Sequence, residues 1–187
     1  MDTPPPNACR ASNDSAQPEP FRFLYFSRLA GRPAWDETSG DQRGRIRDFL
    51  VQATVPYPTV CGLELDTARG PVSLPWSAVR DMRDTAAYLA PANGDPPPAY
   101  DYTVRRDLLG QLAVEVSTTQ VIRIRDLHFV YSEGRMVLAH AETGIRGVLR
   151  RTGLEKPLLA TLARLLPAAL FRERFATFRH LQFLPVQ

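Results

Sequence analysis

From Phe21 onward the chain is written mostly in short apolar runs at period two, the signature of β-strands with one buried face. Phe21-Arg22-Phe23-Leu24-Tyr25-Phe26 predicts a first strand, and Gly31-Arg32-Pro33 a turn. Arg45 to Val55 reads as a long second strand, and Thr59-Val60-Cys61-Gly62-Leu63-Glu64-Leu65 as a third. A hairpin-like Arg69-Gly70 leads into Pro71 to Trp76, where Val72, Leu74 and Trp76 share one face. Ser77 to Met82 is a short helical turn or a final strand. Further on, Leu108 to Val116 predicts a turn-bounded strand and Gln120 to Ser132 a long one. Glu133-Gly134 predicts a tight hairpin turn, Met136 to Ala141 the return strand, and Phe178 to Val186 a closing strand. Strands this short and this regularly spaced predict a mainly β fold, a small barrel or sandwich. One segment differs. In residues 155–175, Leu158, Leu159, Leu162, Leu165, Leu166 and Leu170 recur at helical spacing. Pro157 suits its first turn, and Pro167 should kink it near Leu166.

The pattern also repeats. Ile46-Arg47-Asp48-Phe49 returns as Ile124-Arg125-Asp126-Leu127. Upstream, Leu29-Ala30-Gly31-Arg32-Pro33-Ala34-Trp35-Asp36 answers to Leu109-Gly110-Gln111-Leu112-Ala113-Val114-Glu115 at nearly the same offset. A period this long indicates a duplicated small domain rather than a solenoid unit. Both copies slip their apolar phase at the same place, after Ile46 and after Ile124. A one-residue slip would turn every later side chain to the wrong face. A β-bulge at Arg47-Asp48 and at Arg125-Asp126 restores the phase and bends the strand. Each aspartate is expected to accept backbone N–H groups at its bulge.

Composition sets the boundaries. Residues 1–19 are rich in proline and polar side chains with little to bury, so a disordered tail is expected. The first β unit is expected over 20–82 and the second over 100–187, the latter with the helical insertion at 155–175. Residues 83–99, with Asn93-Gly94-Asp95 and Pro96-Pro97-Pro98, read as the linker. Neither unit can bury much core alone, so the two should lean on each other. The net charge of +3 is small, and Lys156 is the only lysine. Cys9 and Cys61 form neither a disulfide framework nor a metal knot. No apolar run has the length of a membrane span and no secretory h-region is visible, so a cytoplasmic location is the expectation.

At these residues the chain resembles a tandem of PRC-barrel domains. The first copy carries Leu29 to Asp36, Gly44-Arg45-Ile46-Arg47-Asp48, Val60-Cys61-Gly62-Leu63 and Leu74-Pro75-Trp76. The second carries Arg106 to Gln111, Val121 to Asp126, and Gly144-Ile145-Arg146-Gly147-Val148-Leu149-Arg150-Arg151. Phe178-Arg179-His180-Leu181 takes the place of Trp76-Ser77-Ala78-Val79. The nearest likeness is to the paired PRC-barrel region of bacterial MgtE-like, CBS-domain proteins related to magnesium transport. The resemblance implies two small PRC-type β-barrels acting as docking modules, as barrels of this type do in the photosynthetic reaction-centre H subunit and the ribosome maturation factor.

Candidate chemistry is sparse. His128, His140 and His180 accompany no nucleophile elbow, and with Cys61 they lack metal-ligand spacing. Asp36, Asp41 and Asp48 could gather hard oxygen ligands for magnesium, but Asp48 is claimed by the bulge. Arg43, Arg45 and Arg47 with Arg123 and Arg125 form two outward rows, and Arg146, Arg150 and Arg151 a third cluster. A solvated strand face explains them better than phosphate binding does. Leu162 and Leu166 mark the helical segment as a plug for the second barrel, or as an interface for a protein partner or a second copy of the chain. The expectation is therefore a non-enzymatic, cofactor-free adaptor or regulatory scaffold docked on a larger complex, a membrane transporter among the candidates. An RNA- or ribosome-associated assembly factor is the first alternative. A sensor of a small ligand or of magnesium, with a pocket between the barrels, is the second.

Overall fold

The computed structural model describes residues 21–91, 96, 98–144 and 175–183. The tail, most of the helical segment, and Arg146, Arg150, Arg151, Leu162 and Leu166 lie outside the described residues. The first half runs β1 (Arg22–Tyr25), a single helical turn α1 (Phe26–Leu29), β2 (Pro33–Asp36), β3 (Gln42–Gln52), β4 (Thr59–Thr67), β5 (Gly70–Pro75), a 3₁₀ turn at Trp76–Ala78, β6 (Val79–Arg83) and β7 (Ala86–Leu89). The second half runs β8 (Tyr102–Thr103), a wide turn at Val104–Leu108, β9 (Leu112–Glu115), β10 (Gln120–Arg123), β11 (Asp126–Ser132), β12 (Arg135–Glu142), β13 (Phe175–Thr177), a 3₁₀ turn at Phe178–His180 and β14 (Leu181–Phe183).

The main sheet runs β1-β11-β12-β4-β3-β2-β7-β6, with β13, β5 and β8 added to β12, β4 and β3. It curls until its two ends meet. There, Arg22 of β1 donates to the Asp81 carboxylate at 2.7 Å and to the Met82 carbonyl of β6 at 2.8 Å. The seam is thus closed by side chains, and the sheet is a nearly closed barrel. A second sheet orders β10-β9-β14. One hydrophobic cluster fills both halves, from Leu24, Phe26, Phe49 and Leu63 to Leu127, Phe129, Leu138 and Phe178.

The duplication legible in the sequence is a twofold-like exchange in space. Strand β1 belongs to the first half but pairs with β11 of the second, Tyr25 opposite His128. Strand β8 belongs to the second half but pairs with β3 of the first, Thr103 opposite Leu50. These registers are equivalent under the repeat offset. Between them, β4 and β12 meet antiparallel at Thr59 and Val137, which are themselves repeat mates. The pseudo-axis therefore passes beside this pair. Trp76 ties the halves again, its indole N–H donating to the Gly134 carbonyl at 2.7 Å. Glu133 and Gly134 both hold positive φ, as a two-residue hairpin turn of this hand requires.

Several boundaries differ from the sequence expectation, and three of them change how the elements join. The segment 83–99 is not linker throughout. Ala86–Leu89 forms β7, parallel to β2 and antiparallel to β6, with Ala87 and Leu89 fully buried. The small alanines let this strand slot between two others, and the nearby Asn, Gly and Pro masked the signal. The long strand Gln120 to Ser132 is broken at Ile124-Arg125 into β10 and β11, which join different sheets. Phe175, where the spacing predicts the end of the helical segment, starts β13 against Glu142.

Candidate functional site

The repeated Arg-Asp pair sits where the halves cross. In β3 the register with β4 shifts between Ile46 and Asp48, so Arg47 and Asp48 share one partner position at Glu64. In the second half Asp126 pairs with Glu142, and the Arg125 N–H also donates to the Glu142 carbonyl. Each aspartate is buried and works twice. Asp48 Oδ1 accepts the Phe49 N–H at 2.8 Å, and Asp126 Oδ1 accepts the Leu127 N–H at 2.9 Å. Each then reaches into the opposite half. Asp48 accepts the Arg105 N–H at 2.9 Å, and Asp126 accepts the Ser27 N–H at 3.1 Å and the Ser27 hydroxyl. Burial pushes the Asp48 carboxyl above its ordinary value, against the pull of the Arg105 and Phe49 N–H groups. The sequence reading assigned the local bond only, because nothing in the spacing shows that a neighbouring half supplies a donor.

The flanking arginines are structural on both sides. Arg45 donates to the Gly31 carbonyl and Arg123 to the Gly110 carbonyl, both at 3.0 Å. Gly31 and Gly110 are repeat mates with φ of 78° and 81°, a backbone that favours glycine. Arg47 lies between Glu64 at 3.3 Å and Asp66 at 3.1 Å, and Arg43 donates to the Ala90 carbonyl. The outward arginine rows are thus largely spoken for by carbonyls and carboxylates.

Of the acids considered for magnesium, Asp36 caps the following turn through the Thr38 and Ser39 N–H groups, while Asp48 serves the crossing. Among the described residues no three His, Cys, Asp or Glu side chains gather for a metal. His128 and His140 face each other across β11 and β12 with Nδ1 atoms 3.3 Å apart.

These histidines belong to a feature the sequence reading missed. The outer face of β1, β11, β12 and β13 carries a run of stacked rings. Phe21 meets Phe23 edge-on at 5.2 Å, Phe23 stacks on His128 at 5.2 Å, and His128 stacks on Phe175 at 5.6 Å. Tyr25 also stacks on His128, at 4.8 Å. Phe21, Phe23 and Phe175 remain 47, 54 and 41% exposed. The signal was present at Phe21 to Phe26. Both phases of that strand are apolar, so one aromatic set faces the core as Leu24 and Phe26 do, and the other faces out.

No family model, no curated protein and no solved structure matches the chain. Among the described residues no helix is long and apolar enough to cross a membrane.

Proposed function

We propose that this chain is a non-enzymatic adaptor that docks a protein partner on the aromatic platform of Phe21, Phe23 and Phe175. The carrying observation is the platform itself. Three large rings stay exposed on one sheet face, Phe21 against Phe23 and Phe175 joined to Phe23 through His128, where a folded chain ordinarily scatters such residues. Aromatic rings of this kind supply large contact area at small entropic cost and serve as interface anchors. The interlocked halves hold the platform still, since β1 comes from one half and β11 to β13 from the other.

In this reading the two halves are tandem PRC-type barrels. The equivalent registers at Tyr25–His128 and Thr103–Leu50 support that view. A docking role on a larger assembly, a membrane-transport complex among the candidates, follows from the PRC resemblance. The RNA-associated alternative loses support because Arg43, Arg45, Arg47 and Arg123 are engaged within the fold.

The test is capture from the native host's lysate on wild-type protein and on a Phe21→Ser/Phe23→Ser variant, with and without nuclease. A protein retained by wild type, insensitive to nuclease and lost from the variant, is the expected result. Equal retention by both proteins, or complete loss on nuclease treatment, would refute the proposal.

A further inference from the structure

Where α1 of the first half meets its counterpart turn in the second, the surface sinks into a cavity of about 410 Å³. Phe26, Ser27, Ala30 and Gly31 line it from one half, and Arg105 and Leu109 from the other. The pseudo-twofold symmetry breaks here. Ser27 and Arg105 are repeat mates, since each gives its N–H to the other half's bulge aspartate. Ala30 and Leu109 are mates as well, each closing its turn with an N–H to Phe26 and Val104 respectively. The first half thus contributes small side chains and leaves room, while the second contributes a cation.

We propose that this cavity binds a small organic oxyanion, a carboxylate or phosphate carried on an apolar body. The inference goes beyond the adaptor reading and does not depend on it. Arg105 supplies the anion-binding group. Its Nε donates to the Arg47 carbonyl at 3.3 Å, and its terminal nitrogens make no hydrogen bond to any described residue. The guanidinium carbon lies 5.6 Å from the Phe26 ring centroid, within cation–π reach. A guanidinium fork suits two oxygens of one anion. No carboxylate is among the lining residues; Asp48, which acts on Arg105 electrostatically, is held by the Phe49 and Arg105 N–H groups, and Asp126 by the Leu127 and Ser27 N–H groups and the Ser27 hydroxyl. The remaining walls, Phe26, Ala30 and Leu109, are apolar and suit the body of such a ligand.

The probe is phenyl phosphate, with benzoate and inorganic phosphate as companions, titrated into the full chain and followed by amide chemical shifts. Phenyl phosphate, with few heavy atoms, is expected to bind near 1 mM, about what a small, single-anchor ligand achieves. The shifts should cluster at Ser27, Ala30, Gly31, Arg105 and Leu109. Arg105→Ser, which installs the residue of the equivalent position, should weaken binding at least about tenfold. Ala30→Leu, which installs that of the other half, should block the cavity to a similar degree. Benzoate binding at the same residues assigns the carboxylate form, and its failure beside phenyl phosphate assigns the phosphate form. The proposal fails if phenyl phosphate causes no clustered shifts at roughly 10 mM, or binds Arg105→Ser as well as wild type. It fails equally if inorganic phosphate binds as tightly as phenyl phosphate, since the apolar walls would then contribute nothing. Should either variant not fold, the shift map on wild type still decides.

Discussion

Replacing Asp48 by alanine should cost the whole fold about 2–4 kcal/mol. The side chain is 4% exposed, and its carboxylate accepts two backbone N–H groups, from Phe49 at 2.8 Å and from Arg105 at 2.9 Å. Truncation leaves both donors facing a space that water enters poorly, at roughly 1–3 kcal/mol for each. Part of that loss is returned, because a buried carboxylate carries its own desolvation cost. Asparagine keeps one acceptor oxygen and removes the charge, so Asp48→Asn should cost only about 1 kcal/mol. Urea unfolding of wild type, both variants and the exposed control Asp66→Ala separates these cases, the control costing at most about 1 kcal/mol as a surface ion pair does. The pH dependence adds a second signature. The folded carboxyl holds its proton more tightly than the unfolded chain does. Its contribution to stability therefore falls as pH rises from the ordinary carboxylate value through the raised folded one, and is level above that. The margin of wild type over Asp48→Asn should shrink across that window. An Asp48→Ala variant within about 0.5 kcal/mol of wild type would refute the reasoning, because surface changes behave that way and buried caps do not.

Asp107 should show the opposite pH behaviour. The Arg106 guanidinium beside it, helped by the Thr103 N–H and hydroxyl, holds its carboxyl down at about 2. Its stabilising share is complete above the ordinary carboxylate value and is lost as pH falls toward about 2, so the gap between wild type and Asp107→Asn should close on acidification in thermal melts. Gly62→Ala should destabilise by about 1–3 kcal/mol, since a methyl there would stand 2.8 Å from the Leu74 carbonyl and 2.9 Å from Leu50 Cδ1; unchanged denaturant midpoints would contradict the packing. A protease site placed between Pro91 and Pro98 should yield, after cleavage, two fragments that co-elute, because each half holds a strand of the other; separation in buffer without denaturant would show that the exchange contributes little.

Much of the local architecture was legible because its causes are local. Period-two runs located β3, β4, β5 and β12, and Glu133-Gly134 located its turn. The repeat offset marked Asp48 and Asp126 as equivalent, and the phase slip placed a bulge at Arg47-Asp48; in the second half the strand instead breaks at Ile124-Arg125 and the register of β11 with β12 shifts between His128 and Phe129. What stayed hidden depends on the partner half. The cross-half bonds of Asp48 to Arg105 and Asp126 to Ser27 join residues far apart in sequence. Strand β7 escaped because Ala86 and Ala87 carry weak β signals and owe their burial to β2 and β6. The aromatic platform was half legible: Phe21 and Phe23 sit in the outward phase of a strand recognised for its inward one. Stacking against His128 and Phe175 needed the fold.

The most direct test of the docking account is amide hydrogen exchange on the full chain, alone and with the captured partner bound. The account predicts slowed exchange over Phe21 to Tyr25 and at Phe175 to Thr177, with β5 and the Arg69 turn unchanged. Protection that fell instead on the arginine-bearing segments around Arg45 and Arg123, leaving the platform at its free rate, would contradict it.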